Sequence, residues 1–153
     1  MEPVPGDDMD RRMKILFLCS GNSCRSQMAE AWTNRLKGND IMALSAGVSP
    51  KGLDPRAVKA MAEAGIDISR QRSKGLDSLG EKDFDYVITL CDNARESCPY
   101  FPAKTALVHM GFEDPPALAA GALDEEEAMG HYRRVRDEIK DFVAGLPASL
   151  KRG

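Results

Sequence analysis

Apolar positions along the chain follow two periods, and each period marks its own elements. Lys14–Leu18 is a short apolar run ended by Cys-Ser-Gly-Asn-Ser, a composition that cannot continue a strand. From Ser26 the apolar positions Met28, Trp32 and Leu36 recur every four residues until Gly38, which predicts a helix. Ile41–Ser45 reads as a second strand. Asp54 before Pro55 is an N-cap with proline at the first helical position, and Ala57–Ala64 runs helically up to Gly65. The polar stretch Ser69–Lys82 holds a short third helix. Phe84–Leu90, rich in branched and aromatic residues, is the clearest strand, and Thr105–His109 is a fourth. Gly111–Gly121 carries Pro115-Pro116 and reads as a loop, neither helix nor strand. Met129, Tyr132, Val135, Ile139 and Phe142, spaced by three and four, predict a last helix from Asp124 to Gly145. Strands that alternate with helices imply an α/β fold: a parallel sheet covered on both faces.

Composition narrows the class. The chain has 153 residues, 42% of them hydrophobic, so it is long enough for one domain with its own core. Residues 1–13 read as a disordered leader, 14–146 as the folded domain and 147–153 as a flexible tail. A net charge of −3 gives no broad footprint for nucleic acid or an anionic membrane. Met1–Arg12 has no apolar stretch of the kind a signal peptide needs, and no run approaches the ~20 residues that span a bilayer. A cytoplasmic, soluble protein is expected, with no membrane or nucleic-acid partner. Thiols stay reduced there, so Cys19, Cys24, Cys91 and Cys98 are packing residues or chemistry rather than a structural disulfide framework.

The informative segment is Cys19-Ser20-Gly21-Asn22-Ser23-Cys24-Arg25-Ser26. It lies between the first strand and the first helix, where an open α/β sheet binds ligands. A tight loop there turns backbone N–H groups inward, and the helix behind adds its positive end. Arg25 offers a planar fork for two oxygens of a tetrahedral oxyanion. Cys19 at the loop base then meets an electropositive bowl that favours its thiolate, and Ser26 can donate a hydrogen bond to the sulfur. A zinc site is not expected, since Cys-x4-Cys and Cys-x6-Cys match no structural ligand spacing.

Cys-Ser-Gly-Asn-Ser-Cys-Arg-Ser-Gln-Met-Ala-Glu resembles the active-site loop of the low-molecular-weight protein tyrosine phosphatase superfamily, and within it most closely that of the thioredoxin-coupled arsenate reductases. The resemblance continues through Ser45-Ala46-Gly47, Gly65–Ser69, Val87–Cys91 and Arg134–Ile139, so it spans Lys14 to Phe142. It implies a single domain with a four-stranded parallel sheet flanked by helices on both faces and a phosphate-binding loop after the first strand. It also implies arsenate as substrate, bound by Ser20, Gly21, Asn22, Ser23, Cys24, Arg25 and Ser26. The family's Asp-Pro element maps onto Asp114-Pro115, which makes Asp114 the general acid for the leaving oxygen. Glu113 stands where many relatives have Asp.

Cys91 and Cys98 separate reductase from hydrolase. On a helix, seven residues place both thiols on one face but ~10 Å apart, and a disulfide needs Cα atoms within about 7 Å. The polar stretch between them can leave its packing at little hydrophobic cost, which suits a moving redox segment. The resemblance implies a relay in which Cys19, Cys91 and Cys98 pass a disulfide outward to thioredoxin, with no bound redox cofactor. A monomer and no metal are expected. In several related reductases an Asn, a Glu, a Ser and an Asp hold a potassium ion. Asn22, Glu30 and Ser45 match the first three, and Lys74 stands at the Asp position, where its ammonium can replace the ion. The alternative is a phosphotyrosine phosphatase using Cys19, Arg25 and Asp114 and leaving Cys91 and Cys98 idle. Pro116, Ala117 and Leu118, where such enzymes place aromatic rings, count against it. A non-catalytic oxyanion or arsenic sensor would explain the loop but not the general acid with paired thiols.

Overall fold

The computed structural model describes residues 12–79, 83–91 and 106–152. Four parallel strands form one sheet in the order β2-β1-β3-β4: β1 (Met13–Cys19), β2 (Ile41–Gly47), β3 (Tyr86–Thr89) and β4 (Ala106–His109). The helices are α1 (Arg25–Lys37), α2 (Pro55–Glu63), α3 (Pro115–Ala119) and α4 (Glu125–Ala144). Central strands of parallel sheets are buried on both faces, which is why β1 is apolar without alternation. Ile15 and Phe17 face a core built with Met28, Trp32, Ala57, Met61, Tyr132 and Ile139, so that side of the sheet carries the four α-helices found among the described residues. Leu16 and Leu18 face the opposite side, where the 3₁₀ helix Leu76–Ser78 and its neighbours Leu79 and Phe84 cover them. That single turn is the helical structure described within the Ser69–Lys82 stretch, whose residues 80–82 lie outside the described residues.

Caps behave as their sequences direct. Asp54 accepts from the Arg56 N–H at the start of α2, and Asp124 accepts from the Glu127 N–H at the start of α4. Gly65 leaves α2 at φ +89°, a conformation that favours glycine.

Three expectations are corrected. Leu36 does not belong to the buried stripe of α1 and is 41% exposed. Eight residues overshoot two turns by about 80°, so Leu36 has rotated away from Met28, and Ala29, Ala31 and Trp32 complete the buried face instead. Pro115-Pro116 does not prevent a helix but begins α3, because the first helical positions have no N–H to satisfy and proline presets φ there. Residues 148–152, expected to trail as part of the tail, form a 3₁₀ helix, with Leu146 and Leu150 packed into the main core. Of the leader expected over residues 1–13, residues 1–11 lie outside the described residues and Met13 belongs to β1. Among the described residues no helix is long and apolar enough to cross a membrane.

Candidate active site

The carboxyl end of β1 delivers Cys19 to the centre of the sheet, with Gly47 of β2 as its lateral partner and Thr89 of β3 opposite the preceding Leu18. The chain then bends through Asn22, at φ +46°, before Arg25 begins α1. Asparagine tolerates this left-handed conformation, and here its side chain is used to fix it. Asn22 Oδ1 accepts from the Lys74 N–H at 2.8 Å and from Gln27 Nε2 at 3.0 Å. Gln27 is itself held by Gln71, whose Nε2 donates to Gln27 Oε1 at 2.7 Å.

The connection from β2 to α2 sets the direction of the loop's peptide groups. Ser49 N–H donates to Ser20 O, Lys51 N–H to Gly21 O and Asp54 N–H to Ser23 O, at 2.9–3.0 Å. Ser73 Oγ also donates to Gly21 O. A trans peptide points its carbonyl and the next N–H in opposite directions. Fastening those carbonyls outward therefore turns the N–H groups of Gly21, Asn22 and Cys24 inward, a nest that suits an anion at the start of α1. Gly47 permits the close approach, since a Cβ there would lie 2.7 Å from Asn22 N and 2.8 Å from Ser20 O.

Cys19 is buried, with its Sγ 3.0 Å from Ser26 Oγ. Asn22 Nδ2 donates to the same Oγ at 2.8 Å, which leaves the Ser26 hydroxyl proton for the sulfur. Arg25 is 4% exposed, and its Nη1 donates to Phe112 O at 3.1 Å and Leu90 O at 3.4 Å. Its Nη2 lies 3.4 Å from Asp114 Oδ1. Glu113 turns the other way, with Oε1 2.9 Å from Arg134 Nη2 on α4. Burial, with smaller contributions from Asp54, Cys19 and Asp114, holds the Cys24 thiol well above its ordinary range, against the opposing pull of Arg25. Cys24 is therefore a neutral thiol beside the bowl.

Cys19, Ser20, Gly21, Ser23, Cys24, Arg25 and Asp114 line one small cavity together with Lys51 and Pro116. Of the residues expected to bind substrate, Asn22 and Ser26 are not among its walls. They act on the loop and on Cys19 from behind it. Lys51 and Pro116 are additions that the sequence pattern missed, though both follow the general rule that ligands sit beyond the carboxyl ends of parallel strands. Cys91 directly follows Leu90, whose carbonyl receives Arg25, so it leaves β3 beside the bowl. Cys91 is disulfide-bonded, whereas Cys19 and Cys24 are free thiols. Cys98 lies outside the described residues.

Lys74 reaches the second side of the loop. Its Nζ lies 3.6 Å from Glu30 Oε1 and 3.4 Å from Ser45 Oγ, and it donates to Arg72 O at 3.2 Å. Ser45 donates in turn to Glu30. An ammonium thus fills the space between Glu30 and Ser45, and these residues do not fit a bound potassium ion. Among the described residues no cluster of three or more His, Cys, Asp or Glu side chains is placed to hold a metal.

A strand, an anion nest, a buried cysteine and an inward arginine are the architecture of a cysteine-based phosphate loop, and the low molecular weight phosphotyrosine protein phosphatase model matches residues 14–153. The chain belongs to that family. Its relatives in the family include an arsenate reductase of Bacillus subtilis, 50% identical over 125 residues, which cover 82% of this chain and 88% of the relative. An arsenate reductase of Bacillus licheniformis is 51% identical over 129 residues, covering 84% of this chain and 91% of that one. Among solved structures, an arsenate reductase in the phosphate binding state superposes with a TM-score of 0.72 at 31% identity, covering 90% of this chain and 98% of the other. Family membership accounts for the four-stranded parallel sheet and for the loop after β1.

Proposed function

We propose that the protein is an arsenate reductase that forms arsenite through a three-cysteine relay recycled by thioredoxin. The observation that carries this reading is the cysteine set around the bowl: a free Cys19 on the anion nest, and a disulfide-bonded Cys91 at the end of the neighbouring strand. A hydrolase needs only the first. The names of the two Bacillus relatives point the same way.

In this reading the nest and Arg25 hold arsenate with its arsenic above Cys19 Sγ. The thiolate attacks in line, and an oxygen leaves as water with a proton from Asp114. Cys91 attacks the sulfur of the Cys19–arsenic adduct. The sulfur–arsenic electron pair stays with arsenic, which leaves as arsenite, and a Cys19–Cys91 disulfide forms. Cys98 then attacks Cys91 and releases Cys19 as a thiolate, and thioredoxin reduces the resulting Cys91–Cys98 disulfide. Cys24, protonated and buried, takes no part. The protein works as a monomer in the cytoplasm, where reduced thioredoxin is available, and needs no bound cofactor.

The cavity supports a small inorganic oxyanion over an aryl phosphate. Among the described residues no aromatic ring lines it, and Pro116 is one of its walls together with Asp114. The deciding experiment is arsenate-dependent consumption of NADPH in the presence of thioredoxin and thioredoxin reductase, run beside hydrolysis of an aryl phosphate. Thioredoxin-dependent turnover with arsenate supports the reading. Efficient aryl-phosphate hydrolysis without arsenate reduction would replace it with the phosphatase.

A further inference from the structure

Among the described residues two cations, Arg25 and Lys51, line the cavity above Cys19, and the proposed relay uses only Arg25. Arg25 sits at the floor, but its charge is already shared among Asp114 Oδ1 and the carbonyls of Leu90 and Phe112. The second is Lys51, on the connection between β2 and α2. Its backbone is tied to the loop by the bond from its N–H to Gly21 O at 3.0 Å. Its stem lies across Gly21, where an added Cβ would come within 3.2 Å of Lys51 Cδ and 3.3 Å of Cγ. The absence of a side chain at Gly21 therefore opens the path along which this lysine reaches the rim.

Charge accounting gives the lysine a task. A thiolate at Cys19 and a doubly charged oxyanion bring three negative charges into the bowl, and Asp114 is a carboxyl besides. Among the described residues, Arg25 and the N-terminal end of α1, worth roughly half a charge, stand against them. Cys24 contributes nothing, because its thiol stays protonated. Without another cation, thiolate and dianion repel one another at close range, in a cleft whose low-dielectric walls strengthen the repulsion. We propose that Lys51 is a substrate-binding residue of this site. It draws tetrahedral oxyanions in and offsets the second negative charge of a dianion, so that doubly charged anions are favoured over singly charged ones. The inference rests on Cys19 acting as the nucleophile toward an oxyanion, and its first test is independent of arsenate reduction.

That test is alkylation of Cys19, followed by mass spectrometry, with iodoacetate and with iodoacetamide, reagents that differ in charge and little in size. Lys51→Met keeps the length of the stem and removes the charge. It should slow carboxymethylation by roughly three- to tenfold at low ionic strength and leave the neutral reagent unaffected. Lys51→Arg should restore the anionic rate, and added salt should erase the difference. An unchanged ratio of the two rates in Lys51→Met would overturn the proposal. So would an equal fall for both reagents, since that would mark the lysine as a support of the loop. In the thioredoxin-linked assay Lys51→Met should raise KM for arsenate with kcat kept, and a fall in kcat at unchanged KM would also count against it. An inactive wild-type enzyme in that assay would defeat the arsenate reading while leaving the alkylation result to judge Lys51.

Discussion

Asp114 and Glu113 are neighbours in the chain with opposite allegiances. Asp114 Oδ1 lies 3.4 Å from Arg25 Nη2 above the bowl, whereas Glu113 Oε1 lies 2.9 Å from Arg134 Nη2 on α4. The division follows from α3: Asp114 occupies its N-cap position, and the rigid Pro115-Pro116 turn behind it aims that one residue at the cavity. Asp114→Asn should therefore slow arsenate reduction by roughly 10²–10⁴-fold, the usual effect of losing a positioned general acid. Glu113→Gln loses only a surface ion pair and should leave the rate nearly unchanged. A greater loss at Glu113 than at Asp114, measured in single-turnover assays, would reverse the assignment.

The cysteines separate by assay. Cys19→Ser should abolish arsenate reduction and aryl-phosphate hydrolysis together, because an alcohol remains protonated where a thiol ionises. Cys91→Ser and Cys98→Ser should halt thioredoxin-linked cycling and spare any hydrolysis of aryl phosphate. Wild-type cycling by Cys98→Ser would remove the outward disulfide from the mechanism.

What could be read from the chain alone depended on how local its cause was. The strand, loop and helix around Cys19 were legible because each is encoded within a few residues: an apolar run, a glycine and asparagine bend, a helical period. Helix α2 was legible for the same reason, through Asp54 and Pro55. Pro115-Pro116 was misread as loop because the same pair either ends a helix or starts one, and which it does depends on whether the chain turns toward Arg25. Leu36 was misread because a spacing of four drifts round the helix. Lys51 and the Gln27–Gln71 pair left no local trace. They meet the phosphate loop only because β2 and the segment after α2 fold alongside it.

Tyr132 joins α4 to the start of α2 by donating its hydroxyl to Asp54 Oδ2, while Asp54 Oδ1 caps the helix. Burial first, and then the bond to Asp54, push the phenol above its ordinary range. A group with a raised folded-state pKa stabilises fully below its unfolded value, about 10 for tyrosine, and loses that contribution as pH rises beyond it. Tyr132→Phe should cost about 1.5–3 kcal/mol at neutral pH, the worth of a hydrogen bond to a charged group. Above pH ~10 the wild type should lose stability more steeply than the variant, by up to about 1.4 kcal/mol per pH unit. Denaturant melts at pH 7, 9 and 10.5 measure both, and parallel pH profiles would show that the phenol carries no such linkage.

Lys74 links three residues that otherwise would leave a negative charge beside the phosphate loop. Its ammonium is 3.6 Å from Glu30 Oε1 and 3.4 Å from Ser45 Oγ, and its backbone N–H holds Asn22 Oδ1 at 2.8 Å. The pair is mostly buried, with the two side chains 17% and 14% exposed, so salt screens it little. Breaking it strands Glu30 as an uncompensated carboxylate, at a cost of about 2–3 kcal/mol, somewhat below that of a fully buried pair. Because the backbone bond to Asn22 survives Lys74→Ala, the loss should appear mainly as a lower melting temperature, with a smaller fall in activity from a looser loop. The wild-type enzyme, with a tethered cation in place, should show the same activity and melting temperature in potassium as in a large organic cation at equal ionic strength. In Lys74→Ala the space beside Glu30 and Ser45 becomes available to a small ion, and potassium should recover part of the lost stability where the organic cation does not. A potassium-specific gain in the wild type would mean that the ammonium does not serve as the site's cation.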